Sequence, residues 1–208
     1  FKDKAEIDKA IEEVKSKKFN INDISSKVVN RNPSGPFTTS TLQQVSSGRL
    51  GFGASRTMQI AQKLYQGIEI DGETIGLITY MRTDGTNLST DAIDTFRKYI
   101  KNEFGDEYVP DNAASYSGKK AKNAQEAHEA IRPTDIMRAP GTVKKYLSPD
   151  QHKLYDLIWS RALSSQMKPA QFDRNTITIS SDDNGTICKA SGSVIKFDGF
   201  LRVMKDTK

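Results

Sequence analysis

Residues 77–89 read LITYMRTDGTNLS, a β-rich run that ends at a tyrosine and leads through a polar loop into a helix start. A strand is predicted over residues 74–79, and Ser89 is typical of a helix N-cap. A tyrosine at a strand end can expose its hydroxyl while its ring stays anchored. Arg82 lies two residues after Tyr80 and can reach the same anion, because its planar guanidinium pairs with two phosphate oxygens. The stretch therefore indicates a site that can hold a phosphodiester against the phenol of Tyr80.

The same stretch also has a purely structural interpretation. The ring of Tyr80 would pack at the strand end, and Arg82 and Asp84 would form a surface ion pair that contributes little free energy. For a Tyr-x-Arg sequence taken alone, this interpretation is the better one. The choice depends on what the rest of the chain supplies.

The composition is typical of a globular protein. The 208 residues are 36% hydrophobic and 27% charged, and they can form one large domain or two small ones. No apolar run is long enough to cross a membrane, and the N-terminal residues do not resemble a signal peptide. Cys188 is the only cysteine, which excludes a disulfide framework and a multi-cysteine zinc site within this sequence. These features predict a cytoplasmic protein.

Positive charge is unevenly distributed along the chain. No Asp or Glu occurs between Ile24 and Ile68, and that stretch contains the basic residues Lys27, Arg31, Arg49, Arg56 and Lys63. A carboxylate-free stretch that is rich in Ser, Thr and Gln is suited to follow a phosphate backbone. Chance clustering is the alternative explanation if composition is considered alone.

Apolar periodicity predicts a helix-rich middle of the chain between β-rich ends. A first helix begins after Asp3, and strand-like sequences follow at residues 19–22 and 28–29. The Pro and Gly cluster at residues 32–36 indicates a domain boundary. Further helices are predicted with N-caps at Ser40, Ser55, Ser89 and Ser148. A long surface loop is expected over residues 111–123, followed by a short helix-like segment over residues 125–131.

Period-two alternation returns near the C-terminus. The predicted strands are residues 176–180, 186–189, 194–197 and 200–204, with hairpin turns at Asn184-Gly185 and Asp198-Gly199. The N-terminal strand is a candidate to join their sheet.

We therefore interpret the sequence as an α+β protein in which a helical domain is inserted into a β-rich one. The mainly helical, tyrosine-bearing domain comprises residues 33–167, and the β-rich arch domain comprises residues 1–32 and 168–208. The two helices around Gly51–Gly53 are helix-turn-helix-like. Such a pair forms either a base-reading motif or a plain helical hairpin, and the sequence leaves this choice open.

Three strings carry a resemblance to a known protein family. Residues 78–84 (ITYMRTD) resemble the active-site signature of type IA DNA topoisomerases, residues 125–134 (QEAHEAIRPT) resemble the family's second signature, and residues 37–44 (FTTSTLQQ) resemble a third. Met81 resembles the bacterial topoisomerase I branch more than the topoisomerase III branch, where Pro is usual. Gly85 stands where the family usually has Ser, and glycine widens the range of backbone conformations open to the loop.

The resemblance implies an ATP-independent isomerase that relaxes negatively supercoiled DNA. In that reaction the tyrosine oxygen attacks a phosphodiester, keeps the 5′ phosphate, and returns it after strand passage. The resemblance implies catalytic roles for Tyr80, Arg82 and His128. The expected DNA-binding residues are Thr79, Gln43, Gln44, Arg49, Arg56 and Arg132. Arg132 can instead brace the loop.

The resemblance also implies Mg²⁺ in the full-length enzyme, held by acidic residues of an N-terminal domain. No closely spaced Asp-x-Asp-x-Glu run occurs in this sequence, so the magnesium ligands are expected to lie outside it. We expect the chain to be a central fragment that is inactive alone. Its expected partners are single-stranded DNA and the N-terminal acidic domain of the same polypeptide, with no membrane involved.

Two other function classes compete with this interpretation. The first is a single-stranded DNA-binding module in which Tyr80 stacks on bases without attacking phosphate. The second is a tyrosine recombinase or type IB topoisomerase, which needs several dispersed Arg and His residues around the tyrosine. The strings in this sequence do not resemble that second class.

Overall fold

The computed structural model describes residues 2–116, 128–183 and 185–204. Helices and strands group into two compact units. The first unit consists of the described residues within Phe1–Arg31 and Gln171–Phe197, and the second of those within Asn32–Ala170 and Asp198–Lys208. The predicted α+β class is confirmed.

The first unit combines one helix with a three-stranded sheet. Helix α1 (Lys4–Ser16) is capped by Asp3, whose carboxylate accepts a hydrogen bond from the Glu6 amide at 2.9 Å. The sheet has the order β1 (Phe19–Arg31), β4 (Ala170–Ser181), β5 (Ile187–Phe197), with β4 and β5 antiparallel. The N-terminal strand therefore joins the C-terminal strands, as the sequence suggested. Asn184 of the predicted hairpin turn lies outside the described residues.

The second unit is built on helices. Its helices are α2 (Thr39–Leu50), α3 (Ala54–Gln66), α4 (Thr90–Phe104), α5 (Pro140–Val143) and α6 (Pro149–Ser164). Helices α2, α3 and α6 pack on one another through fully buried side chains such as Leu42, Leu64 and Leu154. A short hairpin of β2 (Ile68–Ile70) and β3 (Glu73–Ile75) follows α3. In the described part of the chain, no helix is both long and apolar enough to cross a membrane.

The helix starts agree with the sequence at three positions, the first being Asp3 at α1, and differ at two others. Ser89 caps α4 and Ser148 caps α6, as predicted. The predicted caps Ser40 and Ser55 are wrong. Thr38 caps α2 through a reciprocal capping box with Thr41, because residue 38 is still extended when the helix begins. The N-cap of α3 is Gly53, which has no side chain to cap the helix.

The predicted strand over residues 74–79 is only partly correct. Strand β3 ends at Ile75, and Ile78 forms an isolated bridge with Pro133. The backbone that leads to Tyr80 is therefore held by a neighbouring loop and not by a continuous sheet.

Two further expectations about regular structure are wrong. Residues 128–130 are not helical, and Ile131 pairs with Phe37 in an isolated bridge; residues 125–127 and 117–123 lie outside the described residues. The predicted strand at 200–204 and its hairpin at Asp198-Gly199 are replaced by a 3₁₀ turn at Gly199–Arg202. Phe200 and Met204 lie four residues apart and are both buried, which favours a helical turn over a strand.

We predict that the capping box of α2 has a measurable effect on stability. Thr38→Ala should lower the free energy of unfolding by about 1 kcal/mol, because the Thr41 amide loses its side-chain acceptor. Urea unfolding followed by circular dichroism measures this loss. Ser40→Ala is the matched control and should change the stability by less than about 0.5 kcal/mol. Equal losses in the two variants would contradict the assignment of the cap.

Candidate active site

Tyr80 is exposed and is flanked by two aromatic rings. Its side chain and backbone together retain 38% of their accessible surface. The ring centroid lies 5.4 Å from that of Tyr65 and 5.7 Å from that of His128, with interplanar angles of 65° and 62°. Both contacts are edge-to-face, the arrangement that aromatic quadrupoles favour. The site therefore presents a tyrosine to solvent while restraining its ring.

Hydrogen bonds hold the backbone on the N-terminal side of Tyr80. The Leu77 amide donates to the Leu64 carbonyl at 2.8 Å, which attaches this segment to the end of α3. The Thr79 amide donates to the Arg132 carbonyl at 2.9 Å, and the Thr134 amide donates to the Leu77 carbonyl at 3.0 Å. The tyrosine thus follows a segment that is fixed on two sides.

The loop that follows Tyr80 is held by the start of α2. The Thr39 hydroxyl donates to the Met81 carbonyl at 2.8 Å and accepts from the Thr83 amide at 2.8 Å. The Thr39 amide donates to the Thr83 carbonyl at 2.8 Å. The string at residues 37–44 therefore contributes directly to the geometry of the tyrosine loop.

The segment that carries His128 is attached to the same loop. The Thr83 hydroxyl donates to the His128 carbonyl at 3.1 Å, and the Ala130 amide donates to the Asn87 carbonyl at 2.9 Å. These bonds bring the second signature string against the first. They explain how a histidine 48 positions after the tyrosine reaches its ring.

Gly85 lies at the closest approach between these two segments. It is buried, and a Cβ atom added there would lie 1.9 Å from the His128 carbonyl oxygen. Glycine was expected to give the loop more backbone freedom, but hydrogen bonds restrain it here. The Gly85 amide itself donates to the Thr83 hydroxyl at 3.0 Å. Gly85 therefore allows close packing of the His128 segment.

Arg132 and Glu129 connect the second string to helix α4. One Arg132 amino group donates to a Glu129 oxygen at 2.7 Å, and the other Glu129 oxygen accepts from the Ser89 amide at 2.5 Å. Arg132 also donates to the Pro133 carbonyl at 3.0 Å, and only 15% of its side chain is exposed. Burial opposes ionisation of Glu129, but the hydrogen bonds from Arg132 and Ser89 outweigh it and lower the pKa of this carboxyl. These contacts correspond to the bracing role considered for Arg132.

Arg82 opens onto a groove along helix α3. The groove has a volume of about 800 Å³. Its polar lining includes amide and cationic side chains and one carboxylate, namely Gln43, Arg56, Gln59, Gln62, Lys63, Gln66, Arg82 and Asp150. Such a surface can hydrogen-bond bases and neutralise phosphates. Three of the amides, which the sequence analysis missed, lie at positions 59, 62 and 66 on one side of α3, opposite the buried Ile60, Ala61 and Leu64.

The other proposed DNA-binding residues are distributed around the unit. Gln43 and Arg56 line the groove, and Arg56 forms an ion pair with Asp150. Arg49 instead lines a separate cavity of about 270 Å³ with Lys153 and Asp156, and Gln44 is exposed on α2. The Thr79 hydroxyl donates to the Ala130 carbonyl at 2.8 Å and accepts from the Arg132 amide at 3.0 Å. Thr79 therefore helps to hold the loop framework.

The described residues offer no metal centre. Within residues 2–116, 128–183 and 185–204, no group of three or more His, Cys, Asp or Glu side chains lies close enough together to hold an ion. Magnesium prefers several oxygen ligands in octahedral geometry. This part of the chain therefore does not fit a magnesium ion.

Comparison with known proteins identifies similar sequences and structures. A family model described as DNA topoisomerase matches residues 1–208. DNA topoisomerase 1 of Rickettsia bellii is 49% identical over 196 residues, and that of Xylella fastidiosa is 45% identical over 199 residues; they cover 94% and 95% of this chain. Full-length topoisomerase I from Thermotoga maritima has a TM-score of 0.83 at 39% identity, covering 96% of this chain and 32% of that one. The chain spans 24% of the length of either curated relative.

We predict that a side chain at Gly85 disturbs the packing of the His128 segment in this chain, in which glycine replaces the serine usual in the family. Gly85→Ala should lower the free energy of unfolding by about 2 kcal/mol, because the new methyl group meets a backbone oxygen that cannot rotate away. Urea unfolding measures the loss, and hydrogen exchange at the Ala130 amide reports whether the His128 segment detaches.

Gly48→Ala provides the control for this substitution. Gly48 lies inside α2, and an added Cβ there meets no atom within 4 Å. This variant should be neutral or more stable by up to about 1 kcal/mol, because alanine favours the helix. Unchanged stability and exchange in Gly85→Ala would show that the loop accommodates the methyl group.

Proposed function

Because the chain belongs to the type IA DNA topoisomerase family, we propose that it carries the nucleophile of an enzyme that relaxes negatively supercoiled DNA. The observation that carries the proposal is the exposed Tyr80, with the His128 ring against it and Arg82 two residues along the chain. Relaxation proceeds through a transient single-strand break, passage of another strand, and religation.

The proposed chemistry is transesterification. The Tyr80 oxygen forms a bond to phosphorus, the bond from phosphorus to the deoxyribose 3′ oxygen breaks, and the 3′ hydroxyl leaves with the proton that the phenol gives up. The 5′ phosphate stays on the tyrosine. Attack by the 3′ hydroxyl on the phosphotyrosine reverses these changes. Because the phosphotyrosine ester retains the energy of the broken phosphodiester bond, religation needs no ATP.

Two side chains support the attack. A free tyrosine has a pKa of about 10, so the phenol is a weak nucleophile near neutral pH. The Arg82 guanidinium can neutralise phosphoryl oxygens as negative charge develops on them during the attack. His128 lies against the Tyr80 ring and can donate a hydrogen bond to the phosphate. Arg82 and His128 are therefore proposed as catalytic residues.

The groove along α3 supports a path for a single strand of DNA that ends at Arg82. Its amides can hydrogen-bond base edges, and Arg56 and Lys63 can contact phosphates. The phosphate contacts would position a strand whatever its sequence, whereas the amide contacts to base edges could favour particular bases. Gln43, Gln44, Arg49, Arg56, Thr79 and Arg132 stay as predicted DNA-binding residues, and the groove adds Gln59, Gln62 and Gln66.

We further propose that the chain works with other parts of a longer polypeptide in the cytoplasm. An N-terminal acidic domain would hold the Mg²⁺ of the full-length enzyme. The isolated 208 residues are then expected to bind single-stranded DNA weakly and to leave supercoiled plasmid unrelaxed.

A second candidate function is single-stranded DNA binding without nucleophilic chemistry. Tyr65 and Tyr80 are adjacent and are 40% and 38% exposed, so their rings can stack on bases. The two functions differ in what the Tyr80 hydroxyl contributes, because stacking requires only the ring.

The deciding variant is Tyr80→Phe in the full-length topoisomerase that carries this sequence. It keeps the ring and removes the nucleophilic oxygen, so the covalent DNA adduct and plasmid relaxation should be lost while single-stranded DNA binding is kept. Denaturing gels with end-labelled oligonucleotide report the adduct, and fluorescence anisotropy reports binding. Tyr146→Phe, outside the site, should leave both unchanged. A persistent adduct in Tyr80→Phe would refute the proposed nucleophile.

A further inference from the structure

We propose that Tyr65 is a positioning residue for the nucleophile, and that its ring restrains Tyr80 in the orientation required for attack. This inference rests on the proposed function of Tyr80. The observation behind it is the edge-to-face contact between the two rings, with centroids 5.4 Å apart. No sequence string pointed to Tyr65, which lies 15 positions before Tyr80.

The backbone fixes Tyr65 with respect to the tyrosine segment. Tyr65 lies in the last turn of α3, next to the fully buried Leu64. The Leu64 carbonyl accepts from the Leu77 amide at 2.8 Å, which attaches the segment before Tyr80 to this turn. A Cβ atom added to Gly76 would lie 2.7 Å from the Tyr65 carbonyl oxygen, so the two backbones are in close contact. The ring contact therefore follows from a rigid attachment.

The contact restrains a side chain that is otherwise exposed. An exposed tyrosine samples several rotamers, and it can attack only while it occupies the productive one. The rings of Tyr65 and His128 both meet the Tyr80 ring edge-to-face, and each such pair adds attraction beyond simple burial. The contact with Tyr65 thereby lowers the entropic cost of fixing the Tyr80 side chain when DNA binds.

The ring of Tyr65 carries this role, and its hydroxyl does not. An aromatic replacement without the hydroxyl must therefore preserve the rate, whereas a replacement without the ring must lower it. A proton-relay role would give the opposite result, because it needs the hydroxyl. The two possibilities are separated by Tyr65→Phe and Tyr65→Leu.

The test uses the full-length topoisomerase that carries this sequence and a single-stranded oligonucleotide labelled at one end. Single-turnover cleavage should fall about two- to tenfold in Tyr65→Leu and stay within about twofold of the unmodified enzyme in Tyr65→Phe. The pH profile of cleavage and the dissociation constant for DNA should stay unchanged in both. Tyr65→Met serves as a second ringless variant, and Tyr146→Leu controls for loss of a tyrosine outside the site.

Each outcome decides for or against the inference. Slower cleavage by Tyr65→Leu and Tyr65→Met, together with an unchanged cleavage rate in Tyr65→Phe, supports the positioning role. A slow Phe variant, an unaffected pair of ringless variants, or weaker DNA binding in the ringless variants overturns it. Tyr80→Phe is measured in parallel, and if this variant still forms the covalent adduct, the proposed function itself fails. If Tyr80→Phe forms no adduct and the Tyr65 variants cleave at the unmodified rate, only the positioning role is refuted.

Discussion

The hydroxyl of Thr39 connects the parts of this molecule on which the proposed chemistry depends. It donates to the Met81 carbonyl and accepts from the Thr83 amide, so the start of α2 holds the loop on both sides of Arg82. Thr83 in turn holds the His128 segment through its own hydroxyl. A short chain of hydrogen bonds thus joins three strings that are distant in sequence. Without it, the loop after Tyr80 would lose its attachment to the helical framework.

This arrangement separates rigidity from exposure. Ile78 and Met81 are each 1% exposed and anchor the backbone on either side of Tyr80, which itself projects to solvent. Buried neighbours and aromatic contacts restrain the tyrosine, and the open groove beside Arg82 would admit a DNA strand under the proposed function. A nucleophile that must meet a large substrate and then release it requires both properties.

Local signals in the sequence predicted local structure well. The caps at Ser89 and Ser148 and the α+β class are confirmed, because each depends on short-range chemistry or on simple periodicity. The joining of the N-terminal strand to the C-terminal sheet is also confirmed, although it is a long-range contact that periodicity alone does not specify. The family resemblance is also confirmed. The site assignments of Tyr80, Arg82 and His128 stay predictions. The failure at Ser40 overlooked a local signal, the capping box between Thr38 and Thr41. The strand predicted over residues 200–204 likewise overlooked the helical spacing of the buried Phe200 and Met204.

Tertiary contacts also explain what the sequence could not predict about the site. The bracing of Arg132 by Glu129 depends on the position of the Ser89 amide, and the Tyr65 contact depends on the attachment of Leu77 to α3. The amides along α3 had a detectable signal, since three glutamines recur on the side opposite its buried stripe. That spacing indicates a polar surface but does not identify its ligand.

The central claim is that the Tyr80 oxygen becomes joined to a DNA 5′ phosphate. Its most direct test is to trap the adduct of the full-length enzyme with a short single-stranded oligonucleotide, digest it with protease, and sequence the nucleotide-linked peptide by mass spectrometry. The account predicts a 5′-phosphoryl link on the peptide that contains Tyr80. A link to another residue, or a 3′-phosphoryl link, would contradict it.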